Sequence, residues 1–114
     1  MAIFQIDTPF LKEIKKLIEQ EENIVLKTKF KPIHYADLAE IIESLSIDDA
    51  TYLIKILKSE NTADALAEVD PDIRERILEN LSTKEIAKEV AELDSDDATD
   101  IILELPEERQ EKVM

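Results

Sequence analysis

The chain has 114 residues, with 28 acidic side chains against 14 lysines and arginines, so its formal net charge is −14. This length supports one domain, and the charge disfavours nucleic acid and anionic lipid, because both are bound by basic side chains that displace counterions. Cysteine is absent, which excludes disulfides and thiolate metal sites and is compatible with the cytoplasm. We expect no membrane span, because no apolar run approaches the roughly 20 residues required.

Residues 1–32 are predicted to form an N-terminal helix. Asp7, Thr8 and Pro9 are typical of a helix cap and start, and the helical pattern continues to about Phe30, before Pro32. Residues 1–33 hold six lysines and five acids, whereas residues 34–114 hold eight basic and 23 acidic side chains. The acidity therefore belongs to the second part of the chain, and within a single domain we distinguish the N-terminal helix, 1–32, from a helical-repeat part, 33–114.

A repeat of 24 residues fills most of the second part. Its three copies are YADLAEIIESLSIDDATYLIKILK, SENTADALAEVDPDIRERILENLS and TKEIAKEVAELDSDDATDIILELP, which begin at residues 35, 59 and 83. The tetrapeptide DDAT recurs intact in the first and third copies. Apolar residues occupy the same positions in all three copies, as in the columns Ala39/Ala63/Ala87, Ile42/Leu66/Val90, Leu45/Val69/Leu93, Leu53/Ile77/Ile101 and Leu57/Leu81/Leu105.

Each copy is predicted to form two short helices, because its apolar residues recur at intervals of three and four. Ser46, Asp70 and Asp94 are the expected N-caps of the second helices, and Pro71 suits a first helical position. Such pairs bury their apolar stripes only by stacking, so we predict an all-α superhelix, or solenoid, with a further helix from Glu107 to Met114. We expect a continuous core that includes Leu45, Leu53, Leu57, Ile77, Leu81, Ile101 and Leu105.

The composition also argues against enzymatic activity. Glycine is absent, and without it the chain lacks the phosphate-binding loop, the dinucleotide fingerprint and the turn of an EF-hand calcium loop. One histidine and no cysteine do not suffice for a zinc hydrolase or a Cys-His nucleophile. We therefore predict that the chain is not an enzyme.

The carboxylates allow two interpretations. Asp96 and Asp100 are four residues apart, so on a helix they share a face and repel each other unless a cation lies between them. Magnesium prefers oxygen ligands and retains water, so two such carboxylates are a plausible half-site. Aspartates in a first helical turn also favour the helix dipole without any metal, as we expect for Asp48, Asp49, Asp72 and Asp97. The residues alone leave both interpretations open.

Two stretches resemble a known family. HYADLAEIIESL (34–45) and LDSDDATDIILELPEERQEKV (93–113), with the 24-residue spacing, are similar to the cytoplasmic N-terminal domain of MgtE-type magnesium transporters over residues 33–114. The resemblance implies an α-superhelical domain on the cytoplasmic side of the cell membrane. It also implies paired CBS domains and a transmembrane domain in the same full-length chain, which would form a homodimer.

The resemblance further implies a function. The domain would sense intracellular Mg²⁺ through acidic residues at the interface with the CBS domains and so control gating, with the ion bound weakly and shared between neighbouring domains. The implied metal ligands are Asp64, Asp96 and Asp100, where Asp64 occupies the place of a family glutamate. Neither nucleic acid nor a small-molecule substrate is expected. The alternative is a protein interaction scaffold, because the middle domain of the flagellar motor switch protein FliG has similar short-helix repeats with DP and LP punctuation.

Overall fold

The structure, a computed structural model, describes residues 8–57 and 60–113. These residues contain helices and turns and no strand. The helices are α1 (Thr8–Glu19), α2 (Asn23–Phe30), α3 (Tyr35–Ser44), α4 (Ile47–Leu57), α5 (Glu60–Glu68), α6 (Pro71–Glu79), α7 (Thr83–Ala91), α8 (Ser95–Leu103) and α9 (Glu107–Val113). In this part of the chain, no helix has the length and apolar character needed to cross a bilayer.

The predicted single helix up to Phe30 is wrong, because the chain reverses between α1 and α2. Glu21 adopts a left-handed conformation with φ of 53°. The Glu21 N–H donates to the Ile18 carbonyl and the Glu22 N–H to the Leu17 carbonyl, each at 3.0 Å, which is the Schellman pattern of a helix end. The reversal lets α1 and α2 pack together and bury Ile14 and Leu26 in the same core. The predicted cap at Asp7 lies outside the described residues.

The tripled unit predicted from the sequence is present as three helix pairs, α3–α4, α5–α6 and α7–α8. The first helices stack in one layer, where α3 packs against α5, α5 against α7, and α7 against α9; in the second layer α4 packs against α6. The N-terminal helices cover one end of this stack, where both α1 and α2 contact α4. The described residues therefore form the predicted superhelix, with dimensions of 41 × 30 × 23 Å.

The repeated apolar columns form the core. Leu53, Ile77 and Ile101 occupy equivalent positions and are at most 2% exposed. Of the seven predicted core residues, six are buried, and Leu57 is partly buried and packs against the others at the edge. Residues of α1 and α2 belong to the same cluster. The division of the chain into 1–32 and 33–114 remains a prediction.

The helix starts follow the predicted chemistry at two of three positions. The Ser46 hydroxyl accepts the Asp49 N–H at 3.2 Å, and the Asp70 carboxylate accepts the Asp72 N–H at 3.0 Å. Asp94 occupies the N-cap position of α8, but its side chain makes no capping bond there. The α8 start therefore retains backbone N–H groups and the positive end of its dipole beside a group of aspartates.

Truncation of a fully buried side chain should lower the free energy of unfolding. Leu53→Ala should lower the free energy of unfolding by about 2–5 kcal/mol, because it leaves a cavity among fully buried neighbours. Urea denaturation measures this change. Leu103→Ala is the matched control, since Leu103 is 66% exposed and its truncation should cost less than about 0.5 kcal/mol. Equal effects of the two substitutions would contradict the assignment of Leu53 to the core.

Candidate functional site

The first candidate site is the exposed acidic face of α8. Asp96 lies in the first turn of this helix and Asp100 one turn later, and both side chains are exposed. Their spacing of four places them on the same face, and Leu103, three residues further, continues that face with 66% exposure. The part of the chain that the structure describes offers neither carboxylate a salt bridge or a side-chain hydrogen bond. The face can therefore accept a cation without breaking a salt bridge or a side-chain hydrogen bond.

Asp64 lies on a different helix. It is a half-buried residue in the middle of α5, which packs between α3 and α7. Among the described residues, no group of three or more histidine, aspartate or glutamate side chains is close enough to hold a metal ion. Asp64, Asp96 and Asp100 thus do not form one site within this domain, and their role as metal ligands stays a prediction. Two oxygen donors on α8 still fit Mg²⁺, which keeps several waters when few protein ligands are present.

A buried arginine holds the end of α8 against α6. Arg74 is 7% exposed, and its Nε and Nη2 donate to the two Glu104 carboxylate oxygens at 2.8 and 2.5 Å. Its Nη1 also donates to the carbonyls of Ala67 and Val69, at 2.9 and 3.0 Å. One guanidinium therefore joins the end of α5, the start of α6 and the residue after α8. This arrangement fixes the direction in which α8 presents its acidic face.

The same arginine contributes positive charge near that face. The hydrogen bond with Glu104 raises the pKa of Arg74 and outweighs the opposing effect of burial; the charges of Glu104, Asp100 and Asp70 add to the increase. Asp100 therefore interacts with a fixed cation as well as with Asp96. The positive charge of Arg74 opposes the binding of a second cation at Asp100.

A second candidate site is an open cavity beside α7 that was not predicted from the sequence. It has a volume of about 520 Å³ and lies between the second half of α4 and α7. Glu89 lines it, and this residue is only 7% exposed. Burial, followed by the negative charge of Glu92, raises the pKa of Glu89 from 4.5 to about 7. An acid with this pKa gains or loses its proton near neutral pH.

The repeat pattern does indicate that Arg74 and Glu89 occupy buried positions. With the 24-residue spacing, Arg74 aligns with Ala50 and Ala98, and Glu89 aligns with Ile41 and Ala65. Each is thus a charged residue in a column that is apolar in the other two copies. A charged residue in an otherwise apolar column indicates a position where a charge is buried, and buried charges need a partner or a shifted pKa.

Because the pKa of Glu89 is raised, the stability of the fold should depend on pH. Below pH 4.5 the carboxyl is protonated in both folded and unfolded chains; between about 4.5 and 7 the unfolded chain loses the proton first, so stability falls as the pH rises. Glu89→Gln removes this penalty and should stabilise the fold by about 1–3 kcal/mol at pH 8 and by much less at pH 4. Denaturation by urea at the two pH values measures the difference.

The control for this substitution is Glu79→Gln, because Glu79 is an exposed acid on α6. Its effect on the free energy of unfolding should be small and similar at both pH values. A stabilisation by Glu89→Gln that is the same at pH 4 and pH 8 would show that burial does not raise the Glu89 pKa.

Comparison with known proteins identifies the family of the helical-repeat part of the chain. Residues 33–114 match the family described as the MgtE intracellular N domain. No curated protein matches the chain closely enough to count as a relative. The family match covers more than half of the chain and contains all three helix pairs. The chain therefore belongs to the MgtE intracellular N domain family.

Proposed function

We propose that this chain is the regulatory domain of a magnesium transporter and that it responds to intracellular Mg²⁺. In this proposal the domain lies on the cytoplasmic side of the cell membrane, in a homodimeric transporter, and contacts CBS domains and a transmembrane domain of the same full-length chain. It acts by binding and is not an enzyme. The observation that carries the proposal is the pair of exposed, unbonded carboxylates on α8 in a chain of this family.

The mechanism follows from the incomplete coordination at α8. Asp96 and Asp100 supply two ligands of an octahedron, and water completes it in the isolated domain, so the ion is bound weakly. A facing acidic surface of the CBS region would replace some of these waters. Without the ion, two acidic surfaces repel each other; with it, they share a counterion, and the closed arrangement becomes the more stable one.

Asp64 would contribute a second point of contact. It lies on α5, within the part of the chain where 23 acids outnumber eight basic residues. Since it forms no three-carboxylate group with other described residues, any ion at Asp64 also needs ligands from the opposing surface. Several weak sites along one interface would make closure depend steeply on the Mg²⁺ concentration.

The rigid placement of α8 supports this role. The Arg74–Glu104 pair fixes the end of the helix, and α8 also packs against α7 and α9. A helix held in this way presents its carboxylates at a constant geometry, so the ion does not have to order the helix when it binds. The free energy of ion binding is then available to join the two surfaces.

The experiment is a double substitution in the full-length transporter that carries this domain. Asp96→Asn with Asp100→Asn should leave folding and membrane insertion intact while weakening Mg²⁺-dependent closure, because the ion loses its charged ligands on α8. Mg²⁺ uptake at high internal Mg²⁺ measures closure. Protection of the interdomain linker from protease by Mg²⁺ measures the contact itself, and both should weaken together.

A matched control is Glu75→Gln with Glu79→Gln. These two residues form another exposed pair of acids four residues apart, on α6, so the control removes the same charge from the same fold. It should keep normal closure and protection. If the α8 double variant also keeps both, the α8 aspartates serve the helix start only, and the proposed sensor is wrong.

A further inference from the structure

The cavity beside α7 has the properties of a small-molecule site that the proposed sensing role does not use. Its volume of about 520 Å³ lies within the range of roughly 300–1,000 Å³ that is usual for ligand pockets. Its apolar walls include Ile54, Leu81 and Ala91, and its charged residues are Lys55, Lys84, Glu85, Lys88, Glu89 and Glu92. Such a mixture suits a ligand that has both an aliphatic part and a charged group.

Glu89 is the buried charged residue that lines this cavity, and it has no partner among the described residues. Although it is 7% exposed, no described residue donates a hydrogen bond to it or forms an ion pair with it. A side-chain oxygen in the described ranges that is both fully enclosed and without a partner is Thr51 Oγ1. The Glu89 oxygens are not of this kind, so they are not fully enclosed. The Glu89 carboxyl therefore keeps contact with the open space of the cavity, where a ligand can reach it.

The contrast with Arg74 shows how unusual this arrangement is in the present fold. Arg74 is buried to the same extent, and its bonds to Glu104, Ala67 and Val69 occupy all three guanidinium nitrogens. Buried charges in folded proteins are normally paired in this way. Glu89 is equally buried but has no partner among the described residues. Its two equivalents in the other copies, Ile41 and Ala65, are apolar core residues.

The other charged residues define which ligand fits. Glu85 already accepts the Ser82 N–H at 2.8 Å and lies 4.0 Å from the Lys55 ammonium, so its charge is engaged. Lys84 and Lys88 are exposed residues of the lining, and their charges disfavour a ligand with several positive charges more than a ligand with one. Glu92 is exposed to solvent, so the buried acid of the cavity without a partner among the described residues is Glu89, which lies next to the apolar walls.

We propose that this cavity binds a small aliphatic monoamine, whose ammonium group pairs with Glu89 and whose hydrocarbon chain packs against Ile54 and Leu81. The ammonium supplies the hydrogen-bond donors that Glu89 lacks within the domain. Binding converts a protonated Glu89 into a carboxylate, so the Glu89 proton is released to solvent as the already protonated amine enters. The proposal is independent of magnesium sensing on α8.

The test is binding of n-butylamine to this domain at pH 6.5, followed by the chemical shifts of Glu89 and Ile54, with n-butanol as the neutral probe of equal chain length. Butylamine should shift both residues saturably, and butanol should bind at least about tenfold more weakly, because it lacks the charge. Calorimetry in two buffers of different ionisation enthalpy should detect proton release on amine binding.

Glu89→Gln, which retains the shape of the side chain, should weaken butylamine binding by about tenfold or more and abolish proton release. The control Glu79→Gln should change neither. Circular dichroism of each variant establishes that it is folded. If the folded Glu89→Gln variant binds the amine as the unsubstituted domain does, or if butanol binds equally well, the proposal is overturned.

Discussion

The helices of this structure are too short to be stable on their own. The longest described helix has 12 residues, and isolated helices of this length are marginal in water. Each helix is therefore stable only when its apolar stripe is covered, chiefly by the helix two positions further along the chain. A functional surface on one helix is then held in place by its neighbours. The acidic face of α8 is an example, since contacts with α7 and α9 and the pair between Arg74 and Glu104 all fix that helix.

Two charged residues depart from the repeat in opposite ways. Arg74 replaces an alanine and has all three nitrogens bonded, so it joins consecutive units. Glu89 replaces an apolar residue and has no bonding partner among the described residues, so burial raises its pKa to about 7. The first substitution strengthens the connection between units. The buried Glu89 carboxyl is stabilised when it binds a proton or pairs with a cation. In this respect the cavity beside α7 differs from the exposed acidic surface, where water solvates the carboxylates.

Much of the fold was predictable because the same 24-residue pattern occurs three times in the sequence. The columns that contain Leu53 and Ile42 identified the helix pairs and the core, and the Ser46 and Asp70 caps located two helix starts. The break at Glu21 was not predicted, since the chain has no glycine to mark a left-handed residue. For the site, spacing was enough to place Asp96 and Asp100 on one face. Sequence spacing alone does not reveal tertiary contacts such as the bonds of Arg74 or the burial of Glu89; only the contrast between repeat copies indicated them.

The central functional claim is that the α8 carboxylates act as a Mg²⁺ half-site, and the repeat itself provides the control. DDAT begins at Asp48 and again at Asp96, but the residue after it is Tyr52 in the first copy and Asp100 in the third. A test of this claim follows the side-chain carboxyl ¹³C shifts of Asp48, Asp96 and Asp100 during a MgCl₂ titration at constant ionic strength. If the α8 carboxylates bind Mg²⁺, Asp96 and Asp100 should shift saturably, whereas Asp48 should show only a small linear drift. Equal shifts at Asp48 and Asp96 would contradict it.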